Sequence, residues 1–256
     1  MKFRFLTGAA VFALLAGAAQ AQDLKFPPGE DARFHWDSYE ALKSVDLKGQ
    51  SLKIDGPWGG TDKELFESVI AYFKAATGAD VEYTGGDGFE QRIMIDVEAG
   101  SPPNIAVIPQ PGLAADLAKR GKLTALPAET TEWLKANYAA GQSWVDLSTF
   151  AGPDGTKALY GMFYKVDVKS LVWYVPENFK DAGYEIPTSM EELKALTEKI
   201  VADGGTPWCI GLGSGPATGW PATDWVEDMM LRNNTPADYD AWVSNEMKFN
   251  DPKVIA

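Results

Sequence analysis

The chain has 256 residues, with 36 acidic against 23 basic side chains and a formal charge of −13. That sign argues against nucleic acid and anionic membrane surfaces as partners, because both need basic patches on the protein. A single His (His35) and a single Cys (Cys209) exclude the usual zinc sets and any internal disulfide. No metal or cofactor is therefore expected, and His-dependent catalysis has only His35 to build on.

The chain opens on Lys2 and Arg4, an apolar run from Phe5 to Ala18, and the small-residue cleavage pattern Ala19-Gln20-Ala21. These are the parts of a secretory signal peptide over residues 1–21, with the mature chain starting at Gln22. A transmembrane helix needs ~20 apolar residues, and Gln20, Gln22 and Asp23 arrive too soon. Gln22 is not Cys, so nothing suggests an N-terminal lipid anchor. Removing Lys2 and Arg4 with the signal leaves 21 basic and 36 acidic side chains, a charge of −15. Residues 22–50 carry Pro27-Pro28-Gly29, have no sustained period, and read as an irregular arm.

Regular structure is predicted from Ser51. Ser51 to Gly56 alternates like a strand, and Pro57-Trp58-Gly59-Gly60-Thr61 leads into a helix. Thr61 and Glu64 have capping-box spacing. Leu65, Phe66, Val69, Ile70 and Phe73 form its apolar face, and Gly78 closes it. A second strand, Asp80 to Thr84, passes through Gly85-Gly86-Asp87-Gly88 into a helix with Phe89, Ile93 and Val97 on one side. A third strand, Asn104 to Pro109, is almost wholly apolar and reads as buried on both faces. Pro111-Gly112 then opens a helix with Leu113 and Leu117 that ends at Gly121. Three such units in tandem predict a parallel sheet with ligands at its C-terminal strand ends. Trp58 to Asp62, Gly85 to Phe89 and Gln110 fall on that rim.

Leu159 to Val175 is rich in β-formers with alternating charges, Lys165, Asp167 and Lys169. It is expected to be one long strand crossing into a second domain. Ser189 and Glu192 have capping-box spacing for a helix holding Leu193, Leu196, Ile200 and Val201. Trp208 to Leu212 reads as a strand in which Cys209 is a small buried hydrophobe. A Gly-rich loop from Gly213 to Trp220 precedes a helix over Thr223 to Leu231, and Thr235-Pro236 opens another. Asn250-Asp251-Pro252 is a further helix-opening signal. Only four residues follow it, so the chain is expected to be the front part of a longer protein. The expected domains are an incomplete first α/β lobe over 51–164 and an incomplete second over 165–256.

Gly211-Leu212-Gly213-Ser214-Gly215-Pro216 suggests a dinucleotide loop but has Pro216 at the third glycine position. No Gly-Lys-Ser/Thr sequence marks a P-loop, and Leu212 spoils a nucleophile elbow at Ser214. The positive signal is the placement of aromatics among the nine Trp. Trp58 and Trp220 fall in predicted loops, and Asp62, Asp87, Gln110, Asp167 and Asp224 complete the mixture. Indole rings stack on the C–H faces of sugars, and carboxylates and amides pair with hydroxyls. Each residue also has a plain structural explanation. Trp58 and Trp220 can be packing residues, and Asp62 and Asp224 acids favoured by helix dipoles. Asp87 can be a turn residue and Asp167 a strand-surface charge.

Gly56-Pro57-Trp58-Gly59-Gly60, Phe73 through Gly78, Val81-Glu82-Tyr83, Ile105 through Gly112, Lys169 through Tyr174 and Gly219 through Trp225 together carry a resemblance. The chain resembles a family 1 extracellular solute-binding protein of a sugar-importing ABC transporter, most closely its α-glucoside-binding branch, over about residues 50 to 256. The resemblance implies an α/β two-lobe periplasmic binding protein type II fold, here truncated, with a sugar enclosed between the lobes. Carried residue by residue, it implies sugar contacts from Trp58, Gly59, Gly60, Thr61, Asp62, Asp87, Gln110, Asp167, Trp220 and Asp224. It further implies a non-catalytic, monomeric periplasmic protein partnered by permease subunits at the inner membrane. The alternative is a secreted glycoside hydrolase, which would need two of Asp62, Asp87, Asp167 and Asp224 about 5–10 Å apart across a sugar. A surface lectin suits the parallel α/β pattern less well than enclosure does.

Overall fold

The computed structural model describes residues 24–255, which divide into two compact units. The predicted signal peptide lies outside the described residues. One unit runs through Gly85 and takes in Pro103–Ala106; the other holds Gly86–Pro102 and Val107 onward.

The first unit is built on a parallel sheet of β1 (Ser51–Gly56), β2 (Asp80–Gly85) and β3 (Ile105–Ala106), in the order β2-β1-β3. The register of β1 on β2 runs from Ser51 opposite Asp80 to Gly56 opposite Gly85. Along β2 the burial alternates, with Val81 and Tyr83 inside and Asp80, Glu82 and Thr84 exposed. The third strand is much shorter than Asn104 to Pro109, and Ile105 is 47% exposed. Among the described residues it pairs with β1 alone, and the exposure of Ile105 shows that the strand is not buried on both faces.

Helix α2 (Gly60–Thr77) connects the first two strands and ends at Gly78, which is left-handed at φ 74° and donates to Lys74 O. Its N-cap is Gly59, and no side chain caps it. The helix starts early enough to place Thr61 inside the first turn, so the Thr61–Glu64 capping box does not form. Phe66, Ile70 and Phe73 are half-buried, whereas Leu65 and Val69 are exposed. At about 100° per residue those two sit roughly 60–100° around the helix from the Phe66 line, off the covered face.

The arm contains a helix that its sequence pattern did not show, α1 (Trp36–Leu42), packed on α2. Aromatic rings hold it there. Trp36 lies 6.0 Å and Tyr39 5.9 Å from the Tyr72 ring, and Phe34 bridges Trp36 to Phe26. The Tyr72 hydroxyl accepts from Phe26 N–H at 2.7 Å and donates to Phe26 O at 2.8 Å. Upstream, the Arg33 guanidinium hydrogen-bonds Asp31 and lowers its carboxyl to about 2.

The second unit begins with α3 (Phe89–Glu98), whose Phe89, Ile93 and Val97 are all buried as the period predicted. Helix α4 (Pro111–Lys119) buries Leu117 and Ala118. Helices α5 (Ala128–Asn137) and α6 (Gly141–Leu147) pack together, and α4 packs on an antiparallel hairpin of β4 (Thr149–Ala151) and β5 (Lys157–Leu159). Leu134, Val145 and Leu159 make the core there, with Leu126 and Tyr138 against it.

The long strand expected from Leu159 to Val175 does not form. β5 stops at Leu159, and residues 160–175 carry no ladder among the described residues, with Val168 79% and Trp173 85% exposed. An alternating sequence makes a strand only where another strand accepts its backbone N–H and C=O groups. The same holds for Trp208 to Leu212, which forms no strand, and Cys209 within it is exposed rather than buried. Helices α7 (Pro176–Ala182), α8 (Met190–Ala202), α9 (Trp220–Asn233), α10 (Pro236–Val243) and α11 (Pro252–Ile255) complete the described chain. Ser189 Oγ caps α8 by accepting from Glu192 N–H, while the Glu192 carboxylate turns to Thr188 rather than closing the box on Ser189. Thr235 and Asp238 close a complete capping box on α10. Lys253, in α11, reaches back to the Asp238 carboxylate.

Candidate functional site

In the first unit, β1 ends at Gly56 and delivers Pro57-Trp58 directly to the N-terminus of α2. The Trp58 backbone is fixed by one residue of the neighbouring strand. Its N–H donates to the Tyr83 hydroxyl at 3.0 Å, and that hydroxyl donates to Trp58 O at 3.2 Å. Trp58, Phe66 and Tyr83 form a triangle of rings, with Phe66 5.0 Å from Trp58 and 4.8 Å from Tyr83. Tyr83 is buried and Trp58 is half-buried. Lys63 Nζ donates to Tyr83 O at 2.9 Å and pairs with Glu67, tying α2 to the end of β2.

This arrangement requires glycine at position 85. A Cβ built there would lie 2.0 Å from the Trp58 carbonyl oxygen and within 2.7 Å of Tyr83 Cε1 and Oη. Gly59, Gly60, Thr61 and Asp62 follow Trp58 on the exposed first turn of α2, where the backbone N–H groups have no intrahelical partner. Asp62 also sits where a helix dipole favours an acid.

In the second unit, Asp87 is exposed in the turn before α3, and Gln110 is the N-cap of α4 without a side-chain cap bond. Gly215 of the Gly-rich loop approaches Asp87: a Cβ on Gly215 would lie 3.9 Å from Asp87 Cβ. That loop is closed by Gly219 N–H to Leu212 O at 2.9 Å and by Thr218 Oγ1 to Gly215 O at 2.7 Å. Trp220, expected in the loop, is instead the first residue of α9, and Asp224 follows one turn later on the same helix. Trp220 is 40% exposed. The Asp167 carboxylate pairs instead with Lys165 at 3.3 Å.

The structure thus brings Trp220 and Asp224 together, and sets Asp87 against the loop that leads to them. Three neighbours are not among the candidate sugar contacts. Tyr83 and Lys169 stand in segments that carry the family resemblance and Gly85 on the predicted rim, but nothing in the sequence gives any of them a role. Lys169 Nζ lies 3.1 Å from Asp224 Oδ2 and 4.3 Å from the centre of the Trp220 ring. Among the described residues, no group of three or more His, Cys, Asp or Glu could hold a metal ion.

The family model for bacterial extracellular solute-binding proteins matches residues 58–256. The chain belongs to that family. The alpha-glucosides-binding periplasmic protein AglE of Rhizobium meliloti is 63% identical over 261 residues, covering 99% of this chain and 57% of AglE. The osmoprotective compounds-binding protein GgtB of Synechocystis is 46% identical over 214 residues, covering 82% of this chain and 48% of GgtB. The chain therefore spans about half the length of these relatives. A solved structure described in connection with xylan utilization by Caldanaerobius polysaccharolyticus superposes with a TM-score of 0.55. It is 18% identical and covers 80% of this chain and 50% of that one. That likeness agrees with the α/β fold and its parallel sheet. No helix among the described residues is long and apolar enough to cross a membrane.

Proposed function

We propose that this chain is part of the substrate-binding component of an ABC transporter importing an α-glucoside or related oligosaccharide, acting in the periplasm after export by its signal peptide. Its likeness to AglE across nearly its whole length carries the reading. Trp58 stacks on a sugar ring, with Gly59, Gly60, Thr61 and Asp62 offering backbone N–H groups and a carboxylate to hydroxyls. Asp87, Gln110, Asp167, Trp220 and Asp224 supply a second set of contacts of the same chemistry. The fixed backbone of Trp58 supports this role, because a stacking ring held in place loses little freedom on binding. The residues 22–50 arm and two lobes, 51–164 and 165–256, are the proposed domains. A ligand-bound shape is recognised by permease subunits at the inner membrane, and the protein acts as a monomer without chemistry on the sugar.

Tryptophan fluorescence of the full-length protein, titrated with maltose, trehalose and sucrose, tests the proposal. A saturable change with at least one of them is expected. No response to any, together with release of glucose from an aryl α-glucoside, would replace binding with hydrolysis.

A further inference from the structure

Trp220 and Asp224 are four residues apart on α9, so their side chains lie on one helix face. A single ammonium occupies both. Lys169 Nζ is 4.3 Å from the Trp220 ring centre, inside the roughly 6 Å range of a cation–π contact. The same atom is 3.1 Å from Asp224 Oδ2. The lysine is brought there by its neighbour. Ser170 adopts φ 57°, an uncommon conformation for a residue with a side chain, and its hydroxyl donates to the Asp224 carbonyl oxygen at 3.2 Å. That bond ties residues 169–170, in a stretch without regular structure, to α9. The Lys169 side chain remains 50% exposed and Asp224 26% exposed, so the ammonium sits where solvent or a ligand can displace it.

We propose that Lys169 is a displaceable occupant of the sugar subsite made by Trp220 and Asp224, and that it sets ligand affinity by competition. The proposal rests on the sugar-binding reading of those two residues. A pyranose presents a flat C–H face to an indole and hydroxyls to a carboxylate. It therefore needs the two groups that the ammonium holds. Binding of the neutral sugar must break an ion pair, which makes affinity depend on salt although the ligand carries no charge.

The test is calorimetric titration of the full-length protein with maltose, trehalose and sucrose at low and high sodium chloride. Wild type, Lys169→Met and Trp220→Ala are compared. Lys169→Met keeps the apolar stem and removes the charge. It is expected to bind about three- to tenfold tighter at low salt, the combined effect of an exposed cation–π contact and a surface ion pair. Wild-type affinity is expected to rise severalfold with salt, and that of Lys169→Met to stay level. Weaker binding by Lys169→Met, or salt-independent wild-type binding while Trp220→Ala still abolishes it, overturns the competition alone. Unchanged affinity in Trp220→Ala removes Trp220 from the sugar site, and the competition falls with it.

Discussion

Gly85→Ala places a methyl group where no other atom fits. Its Cβ would lie 2.0 Å from the Trp58 carbonyl oxygen, and carbon and oxygen approach to only about 3.3 Å without a covalent bond. The obstacle is backbone and a buried ring, not the tip of a flexible side chain, so the loop itself has to retreat by more than ~1 Å. That retreat pulls Trp58 away from the Tyr83 hydroxyl and stretches bonds now at 3.0 and 3.2 Å. Overpacking costs about 1–3 kcal/mol, and each weakened hydrogen bond about 0.5–1.5 kcal/mol. A total of about 2–6 kcal/mol corresponds to a melting temperature lower by roughly 5–25 °C for a protein of this size. Gly112→Ala is the control. It lies in α4 with nothing within 4 Å of its Cβ, and should melt at or slightly above wild type. Thermal melts followed by circular dichroism measure both. Gly85→Ala melting within a degree of wild type would refute the claim that Trp58 is clamped against the end of β2.

Tyr83→Phe keeps the ring triangle but removes both hydrogen bonds to Trp58, and should cost about 1–3 kcal/mol in a denaturant titration. Ser189→Ala removes the N-cap of α8 and should destabilise by about 1 kcal/mol in the same assay. Asp238 tests the pH dependence. Hydrogen bonds from Lys253 and Thr235 lower its carboxyl to about 2 in the folded chain. A folded value below the unfolded one adds stability that is fully present above the ordinary carboxylate value, near 4, and is lost as pH falls toward about 2. The difference in melting temperature between wild type and Asp238→Asn should therefore be level above pH ~5 and close through that window. A difference that stays constant down to pH ~2 would contradict the pairing.

Elements whose signal is local were legible in the sequence. β1 forms where Ser51 to Gly56 alternates in sequence, although its last three residues are all buried, and β2 forms over the second predicted strand. α3 follows the spacing of Phe89, Ile93 and Val97, and α10 follows Thr235-Pro236. Signals that depend on a distant partner were not. The run from Leu159 to Val175 has the composition of a strand but no strand beside it among the described residues, so its apolar side chains stand exposed. Cys209 sits in an apolar run for the same reason and is exposed with it. The arm hid a helix because its stabilising contacts are aromatic rings on Tyr72, far along the chain. Candidate residues such as Trp58 and Asp87 could be picked by type and loop position. The roles of Tyr83, Gly85 and Lys169 could not, since each acts through atoms brought close only by folding.

The proposed function puts a sugar on the indoles of Trp58 and Trp220. Calorimetry of the full-length protein with α-glucosides, comparing wild type with Trp58→Ala and Trp220→Ala, tests it most directly. Loss of a stacking aromatic should weaken binding at least tenfold in each variant while the melting temperature shows both still folded. Two folded variants that bind the same sugar as tightly as wild type would contradict the account.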